Sequence, residues 1–296
     1  MIDETKLQIM SEKPGIVAAI DQSLNSTPAA LRAYGIPDET YHTKAEMLDL
    51  IHDMRSRMIV STDFSSAHIL ATILFEDTMK RKIQGMYTSE YLWEKKQIIS
   101  FLKIDEGLDV PANGVHLLKP MINFEERLKE AKEHQIFGTK MRSLIVNANE
   151  VGIKDLVKQQ FDISKVILEH DLIPIIEPEV DIHSTDKEKA ERLLKKELLA
   201  QLDALDEGSQ VIIQLSLPVI PDFYEDLVAH KNVIRVLAVS GGYRKAEADK
   251  KLSQNHGIIA SFSRALEEGL TYQETDFEFE MTLKESIHAI FDASIQ

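Results

Sequence analysis

The amino-acid sequence predicts an α/β fold of the (β/α)8 barrel class. Eight short apolar runs recur along the 296 residues, with longer amphipathic stretches between them. An apolar run without alternation is typical of a strand that is buried on both faces in a parallel sheet. Eight such strands, each followed by a helix, fit a closed barrel, and an open doubly wound sheet is the alternative. The predicted strands span residues 15–21, 69–75, 98–105, 136–142, 172–179, 211–217, 233–240 and 258–264.

The clearest helix is predicted over residues 185–205. Thr185 and Glu188 have the spacing of a capping box, and Gly208 follows as a stop signal. Further helices are predicted from Asn123 and after Gly152, and the segment 28–66 is long enough for extra helices. The apolar stripe of the 185–205 helix consists of Ala190, Leu193, Leu194, Leu198, Leu202 and Leu205.

Length and composition limit the organisation and the setting of the chain. With 44% hydrophobic residues and no repeat or linker, residues 1–296 are predicted to form one domain. The absence of cysteine excludes disulfides and thiolate chemistry. The polar N-terminus and the lack of a long apolar run predict a soluble, cytoplasmic protein without a membrane partner. The sequence leaves the oligomeric state open, including a homo-oligomer.

The net charge of −15 argues against nucleic acid as a partner, because a nucleic-acid binder needs a basic face. We also predict no metal and no cofactor. The histidines show no paired ligand spacing and mostly lie away from the strand ends, which disfavours a metal-dependent barrel enzyme. They include His68, His116, His183 and His256.

Charged side chains collect where the predicted strands end. Glu177 and Glu179 follow an apolar run and are two residues apart, so that both point to the same side of a strand. In a closed parallel barrel, the carboxyl ends of the strands form the floor of the active site. The remaining strand ends carry Asp21, Gln22, Ser23, Lys103, Asp105, Lys140, Arg142, Ser240, Gly241, Gly242, Ser263 and Arg264.

The mixture of acids and cations at these ends predicts a site for a phosphorylated small molecule. Any one of these residues alone would be typical of a solvated rim, but six strands deliver them to one rim. Lys103, Lys140, Arg142 and Arg264 would form a positive focus in an otherwise acidic protein. The backbone of residues 240–242, which reads Ser-Gly-Gly, could present N–H groups to a phosphate.

Six runs of sequence resemble the class I fructose-bisphosphate aldolases, and most closely the short bacterial type. They occur in the same order and at similar spacing as in that family, over nearly the whole chain. The runs are Ala19-Ile20-Asp21-Gln22-Ser23, Phe101-Leu102-Lys103-Ile104-Asp105, Thr139-Lys140-Met141-Arg142, Ile176-Glu177-Pro178-Glu179, Val239-Ser240-Gly241-Gly242 and Phe262-Ser263-Arg264-Ala265-Leu266.

The resemblance implies a barrel that reversibly cleaves fructose 1,6-bisphosphate into two triose phosphates, as in glycolysis, through a Schiff base on a lysine and without a metal. By motif, Asp21 resembles the carboxylate near the C3 and C4 hydroxyls. Lys140 resembles the cation that polarises the reacting oxygens, and Glu177 the general acid and base, with Glu179 beside it. The substrate-binding and phosphate-binding residues implied are Lys103, Arg142, Ser240, Gly241, Gly242, Arg264, Ser26 and Arg55.

One position departs from the family pattern. The Schiff-base lysine of the family stands on the sixth strand in a run such as Leu-Lys-Leu-Thr-Ile-Pro, where this chain has Gln214 in Ile-Gln-Leu-Ser-Leu-Pro. A carboxamide nitrogen is not a nucleophilic amine and cannot form the imine. Lys195 and Lys196 lie on the preceding helix and cannot take its place.

Three interpretations of Gln214 stay open from the sequence. The chain is an aldolase that carries a substitution, a paralogue that binds phosphosugars or acts as a scaffold without turnover, or an enzyme in which Lys140 supplies the amine.

Overall fold

Eight parallel strands close into a barrel in the computed structural model of the chain, which describes residues 2–296. Each strand pairs in parallel with the next along the chain, and the first pairs with the last, so that the sheet has no free edge. The (β/α)8 prediction is therefore confirmed, and the open doubly wound alternative is wrong. The barrel strands are β1 (Ile16–Ile20), β2 (Ile69–Leu74), β3 (Ile99–Lys103), β4 (Gly138–Ile145), β5 (Ile173–Val180), β6 (Val211–Ser216), β7 (Val233–Val239) and β8 (Ile258–Phe262).

Helices surround the barrel, and the long segment between β1 and β2 holds two of them, as predicted. A 3-10 turn at Asp38–Thr40 and short strands at Lys82–Ile83, Met86–Tyr87 and Val115–His116 lie outside the main ring. The α-helices are α1 (Glu4–Glu12), α2 (Thr27–Ala33), α3 (Lys44–Val60), α4 (Glu76–Lys80), α5 (Thr88–Lys96), α6 (Phe124–Glu133), α7 (Glu150–Glu169), α8 (Lys187–Asp203), α9 (Glu225–Val228), α10 (Lys245–Leu252), α11 (Arg264–Glu267) and α12 (Asp276–Ser294).

The barrel strands are buried on both faces, as their unbroken apolar runs predicted. In β1 every residue is buried, with Ile16 and Ala18 in the layer shared with the helices and Val17 in a second, smaller cluster. Met10 of α1 belongs to that smaller cluster and is fully buried. Helix α1 thus packs against this apolar interior, and the polar side chains that line the cavity lie at the carboxyl ends of the strands.

The structure corrects the predicted limits of β4 and β3. Strand β4 continues past Arg142 to Ile145, because its last residues pair antiparallel with Val115 and His116. Strand β3 ends at Lys103, so Asp105 stands in the loop that follows. Polar residues therefore mark the top of the barrel more reliably than they mark the last residue of a strand.

The predicted capping box before α8 is wrong. The helix begins at Lys187, and its N-cap is Asp186, whose side chain makes no capping hydrogen bond. That carboxylate instead accepts hydrogen bonds from the Ala148 backbone nitrogen at 3.0 Å and from the Ser184 hydroxyl at 2.8 Å. A tertiary contact to the loop after β4 thus replaces the local cap, and the helix ends at Asp203, before Gly208.

No helix within residues 2–296 is both long enough and apolar enough to cross a bilayer.

Candidate active site

A cavity of about 670 Å³ opens at the carboxyl ends of the barrel strands. Its walls come from strands on opposite sides of the ring, so residues far apart in sequence meet there. Nearly all of the residues predicted from strand ends and from the resemblance line it. These are Asp21, Gln22, Ser23, Ser26, Lys103, Lys140, Arg142, Glu177, Glu179, Gln214, Ser240, Gly241, Ser263 and Arg264.

A buried lysine lies at the floor of the cavity between two carboxylates. The Lys140 Nζ lies 3.0 Å from Asp21 Oδ2 and 2.6 Å from Glu177 Oε2, and all three residues are buried. The three come from β4, from the end of β1 and from β5. Burial alone would favour the neutral amine of Lys140, but Asp21 and Glu177 outweigh it and raise its pKa above the usual lysine value. Lys140 is therefore a fixed cation.

The two carboxylates beside Lys140 titrate differently. Burial opposes ionisation of Asp21, yet the neighbouring Lys140 and Lys103 cations outweigh it and lower the Asp21 pKa. Burial raises the pKa of Glu177, with Glu179 adding to the effect and Lys140 opposing it. An ionised Asp21 beside a Glu177 with a raised pKa is an arrangement suited to acid–base chemistry.

Two further cations line the cavity in ion pairs. Arg142 Nε contacts Glu179 on the neighbouring strand β5, and Lys103 Nζ contacts Asp105. The Asp105 carboxylate also accepts hydrogen bonds from the backbone nitrogens of Arg142, at 3.2 Å, and Gly107, at 3.0 Å. These contacts fix both cations in place at the cavity wall.

Gln214 lies on β6 and lines the same cavity. Its side chain is fully buried, and neither its Nε2 nor its Oε1 has a hydrogen-bond partner among residues 2–296. An unpaired buried carboxamide is unfavourable, at about 1–3 kcal/mol for each group. The carboxamide can donate to and accept from a ligand, but it has no nucleophilic amine.

A glycine turn and an arginine form one end of the cavity. Gly241 has a φ of +60°, and a Cβ at this position would lie only 2.8 Å from the Ile182 Cγ2. Gly242 does not line the cavity itself but lies beside Arg264, whose Nη2 would be 3.8 Å from a Cβ on Gly242. The backbone of this turn packs closely against Ile182 because both positions lack side chains.

Arg55 lies behind the cavity wall and not on it. Its guanidinium is fully buried and donates to the Thr78 hydroxyl at 2.6 Å, to the Gln22 carbonyl oxygen at 3.0 Å and to the Gln22 Oε1 at 2.9 Å. The direct phosphate contact that the resemblance implied for Arg55 does not fit this position. Arg55 supports the loop after β1 instead.

Glu267 is a cavity residue that the strand-end pattern and the family resemblance did not predict. Glu267 lines the cavity, and its Oε1 accepts a hydrogen bond from Gln22 Nε2 at 2.6 Å. Its position three residues after Arg264 places both on the short helix α11, which follows β8. Residues three apart on a helix lie on the same face, so this spacing from Arg264 indicates that Glu267 faces the same cavity.

No group of three or more His, Asp or Glu side chains within residues 2–296 has the arrangement of a metal site.

The fold and the cavity together define a (β/α)8 barrel protein with a buried acid–base cluster at the carboxyl ends of its strands. No protein-family model matches the chain. Two proteins named Fructose-bisphosphate aldolase class 1 match it at full length. The Porphyromonas gingivalis protein is 51% identical over 295 residues, covering 100% of both chains. The Clostridium acetobutylicum protein is 52% identical over 294 residues, covering 99% of this chain and 100% of its own.

The chain therefore belongs to the class 1 fructose-bisphosphate aldolase family. Among solved structures, the fructose-bisphosphate aldolase of Plasmodium falciparum, in complex with TRAP and a small-molecule inhibitor, has a TM-score of 0.69 with this chain. It is 17% identical, and the match covers 98% of this chain and 93% of that one. At this identity, the likeness concerns the fold.

Proposed function

We propose that the cavity binds a phosphorylated ketose and is an aldol-cleavage site that lacks its Schiff-base amine. The observation that carries this proposal is the buried cluster of Lys140, Asp21 and Glu177, which shares one cavity with Gln214. The cluster supplies a cation, an anion and an acid of raised pKa around one point. Family membership supports fructose 1,6-bisphosphate as the substrate.

Each residue has a role that its surroundings allow. The ionised Asp21 accepts a hydrogen bond from a substrate hydroxyl, and the Lys140 ammonium stabilises negative charge that develops on a reacting oxygen. Glu177 transfers protons, because burial raises its pKa and its carboxyl group lies beside Lys140 in the cavity. Ser240, Gly241 and Arg264 bind one phosphate, and Lys103 and Arg142 hold the opposite end of the sugar.

Gln214 is the reason why we expect little or no turnover from this sequence. It stands where the family's nucleophile is expected, and its carboxamide cannot form an imine with a ketone. Lys140 fits the role of replacement amine poorly, because its two carboxylate neighbours raise its pKa and keep it protonated. Loss of a covalent nucleophile lowers turnover by several powers of ten, whereas the binding contacts survive.

The test is an aldol-cleavage assay on the chain and on its Gln214→Lys variant, with fructose 1,6-bisphosphate as substrate. We expect a rise in kcat of at least about a thousandfold in the variant. Gln214→Met is the matched control, since it changes the side chain without supplying an amine, and it should stay inactive. Equal activity of the chain and of Gln214→Lys would contradict the proposal.

A second candidate function is phosphosugar binding without turnover. The unpaired Gln214 carboxamide favours it, because a carbonyl or hydroxyl oxygen of a bound sugar can accept from its Nε2 and a sugar hydroxyl can donate to its Oε1. Dihydroxyacetone phosphate should then raise the melting temperature of the chain. If Gln214→Lys remains inactive while this stabilisation is present, the binding function is favoured. No stabilisation would mean that the phosphate end does not bind.

A further inference from the structure

A carboxylate lies at the end of the cavity where the proposed function places a phosphate. Glu267 lines the cavity together with Arg264, and both belong to helix α11. Three serines, Ser23, Ser26 and Ser263, line the same cavity. Hydroxyls and a guanidinium suit a phosphate, but an ionised carboxylate next to a phosphate dianion is repulsive. A phosphate can therefore bind beside Glu267 only if this repulsion is removed.

Gln22 holds Glu267 in place. The Gln22 Oε1 accepts from Arg55 Nη2 at 2.9 Å, and its Nε2 donates to Glu267 Oε1 at 2.6 Å and to the Ser263 hydroxyl at 2.9 Å. Because the guanidinium can only donate, the carboxamide oxygen must face Arg55 and the amide nitrogen must face Glu267. Hydrogen bonds on both sides therefore fix the orientation of Gln22, and Gln22 in turn fixes the Glu267 carboxylate in the cavity wall.

The groups around Glu267 shift its pKa in opposite directions. Burial raises the pKa of Glu267 to about 7, the hydrogen bond from Gln22 and the Arg55 and Arg264 cations oppose the rise, and Asp21 adds to it. Helix α10 also packs near α11, but its Lys245 backbone nitrogen is bonded to the exposed Glu268 and not to Glu267. Arg55 donates its side-chain hydrogen bonds to Thr78 and Gln22, and its positive charge acts on Glu267 from behind Gln22.

We propose that Glu267 is a further ligand-binding residue, which shares one proton with the phosphate group of a bound phosphosugar. The inference rests on the proposed function, because it needs a phosphate at this end of the cavity. A phosphate monoester is mostly a dianion at pH 8, since its second ionisation lies near pH 6. Ligand binding then brings the phosphate dianion next to the Glu267 carboxylate. The complex takes up one proton from solvent, and this proton lies between a phosphate oxygen and the Glu267 carboxylate.

The experiment is a calorimetric titration of the full chain with dihydroxyacetone phosphate at pH 8. Titrations in two buffers of different ionisation enthalpy give the number of protons taken up. We expect roughly 0.5 to 1 proton per bound ligand, and a Kd that increases about 3-fold to 10-fold for each pH unit above 7. Glu267→Gln keeps an acceptor for Gln22 but removes the titrating group. It should abolish most of the uptake and the pH dependence of the Kd.

Glu247→Gln is the matched control, because it removes the same charge from an exposed position on α10 outside the cavity. It should retain the full uptake. Binding without proton uptake by the parent chain would overturn this inference alone, as would undiminished uptake by Glu267→Gln. The Kd of the parent chain between pH 6.5 and 8.5 gives an independent test if the variant is poorly folded. Absence of binding would overturn the proposed function as well.

Discussion

The Lys140 ammonium pairs with two buried carboxylates, and we expect the stability of the chain to depend on it. Lys140→Met would remove the cation that pairs with both Asp21 and Glu177. We expect a loss of about 3 kcal/mol in the free energy of unfolding at pH 7, measured by urea denaturation, because a buried ion pair that loses one partner leaves an unpaired charge.

Lys158→Met serves as the control for that substitution. Lys158 pairs with Asp162 on the exposed face of α7, where both side chains are about half exposed. A surface pair of this kind contributes at most about 1 kcal/mol, so the variant should unfold close to the parent chain. If the two variants lost equal stability, the buried cluster would not have the charge distribution described above.

At this scale the sequence predicted which residues meet but not how they contact each other. The positions of Lys140 and Glu177 at strand ends placed both at one rim. Nothing in the sequence indicated that Arg55 would be buried behind Gln22, because that contact joins α3 to the loop after β1. The sequence likewise did not indicate the contact of Glu267 with Gln22, since the two residues are 245 positions apart in the chain.

Among the structural elements, the turn after β7 depends on Gly241 for two separate reasons. Its φ of +60° is unfavourable for other residues, and a Cβ would approach Ile182 to 2.8 Å. Gly241→Ala should cost about 1–3 kcal/mol of stability and weaken the binding of dihydroxyacetone phosphate.

Gly208→Ala separates the effect of the positive φ from the effect of the contact with Ile182. Gly208 has a φ of +84°, but nothing lies within 4 Å of the position of its Cβ, so it reports backbone strain alone. We expect a smaller loss of stability than in Gly241→Ala and no effect on binding, measured by thermal denaturation with and without ligand. Equal effects in both variants would contradict a specific role for the contact with Ile182.

The loop after β6 is held by a buried ion pair on α8. Lys187 Nζ contacts Glu191 and donates to the Leu217 carbonyl oxygen at 2.7 Å, while Glu191 Oε2 accepts from the Val219 backbone nitrogen at 3.1 Å. Lys187→Met should cost about 3–5 kcal/mol in the free energy of unfolding, because Glu191 would remain buried without its cation. A loss below about 1 kcal/mol in urea denaturation would contradict this.

The sequence predicted elements best where burial decides them. Strands β1 to β8 all coincide with predicted runs, because strands covered on both faces are mostly apolar. Their charged residues, such as Lys140 and Arg142 on β4, line the cavity. The ends of elements depend on single contacts instead. Asp186 replaces the predicted cap of α8 by bonding to the loop after β4, and the pairing of β4 with Val115 extends that strand.

For the whole molecule, the raised pKa of Glu267 predicts a measurable pH dependence of folding. A carboxyl group with a pKa of about 7 in the folded chain and about 4.5 in the unfolded chain binds its proton more tightly when folded. Its contribution to stability is therefore fully present below about pH 4.5 and is lost as the pH rises through 7.

The measurement is the free energy of unfolding of the parent chain and of Glu267→Gln between pH 5 and 8. Relative to the variant, the parent should lose at most about 3 kcal/mol over this range. Parallel curves for the two proteins would mean that Glu267 does not titrate as its surroundings indicate.

The repeated apolar runs in the sequence predicted the barrel as a whole. The loss of the Schiff-base amine at Gln214 is inferred from its position on β6 and from the family to which the chain belongs. A glutamine in an apolar run gives no chemical signal by itself. Its meaning comes from the cavity that brings it together with Lys140 and Glu177.

The most direct measurement of the central claim is borohydride trapping with dihydroxyacetone phosphate, followed by peptide mass spectrometry. We predict no adduct on the parent chain and, in Gln214→Lys, one adduct on the peptide that contains position 214, because only an unprotonated amine in this cavity can form the imine. An adduct on the Lys140 peptide of the parent chain would contradict the account, as would the absence of any adduct in Gln214→Lys when the ligand is bound.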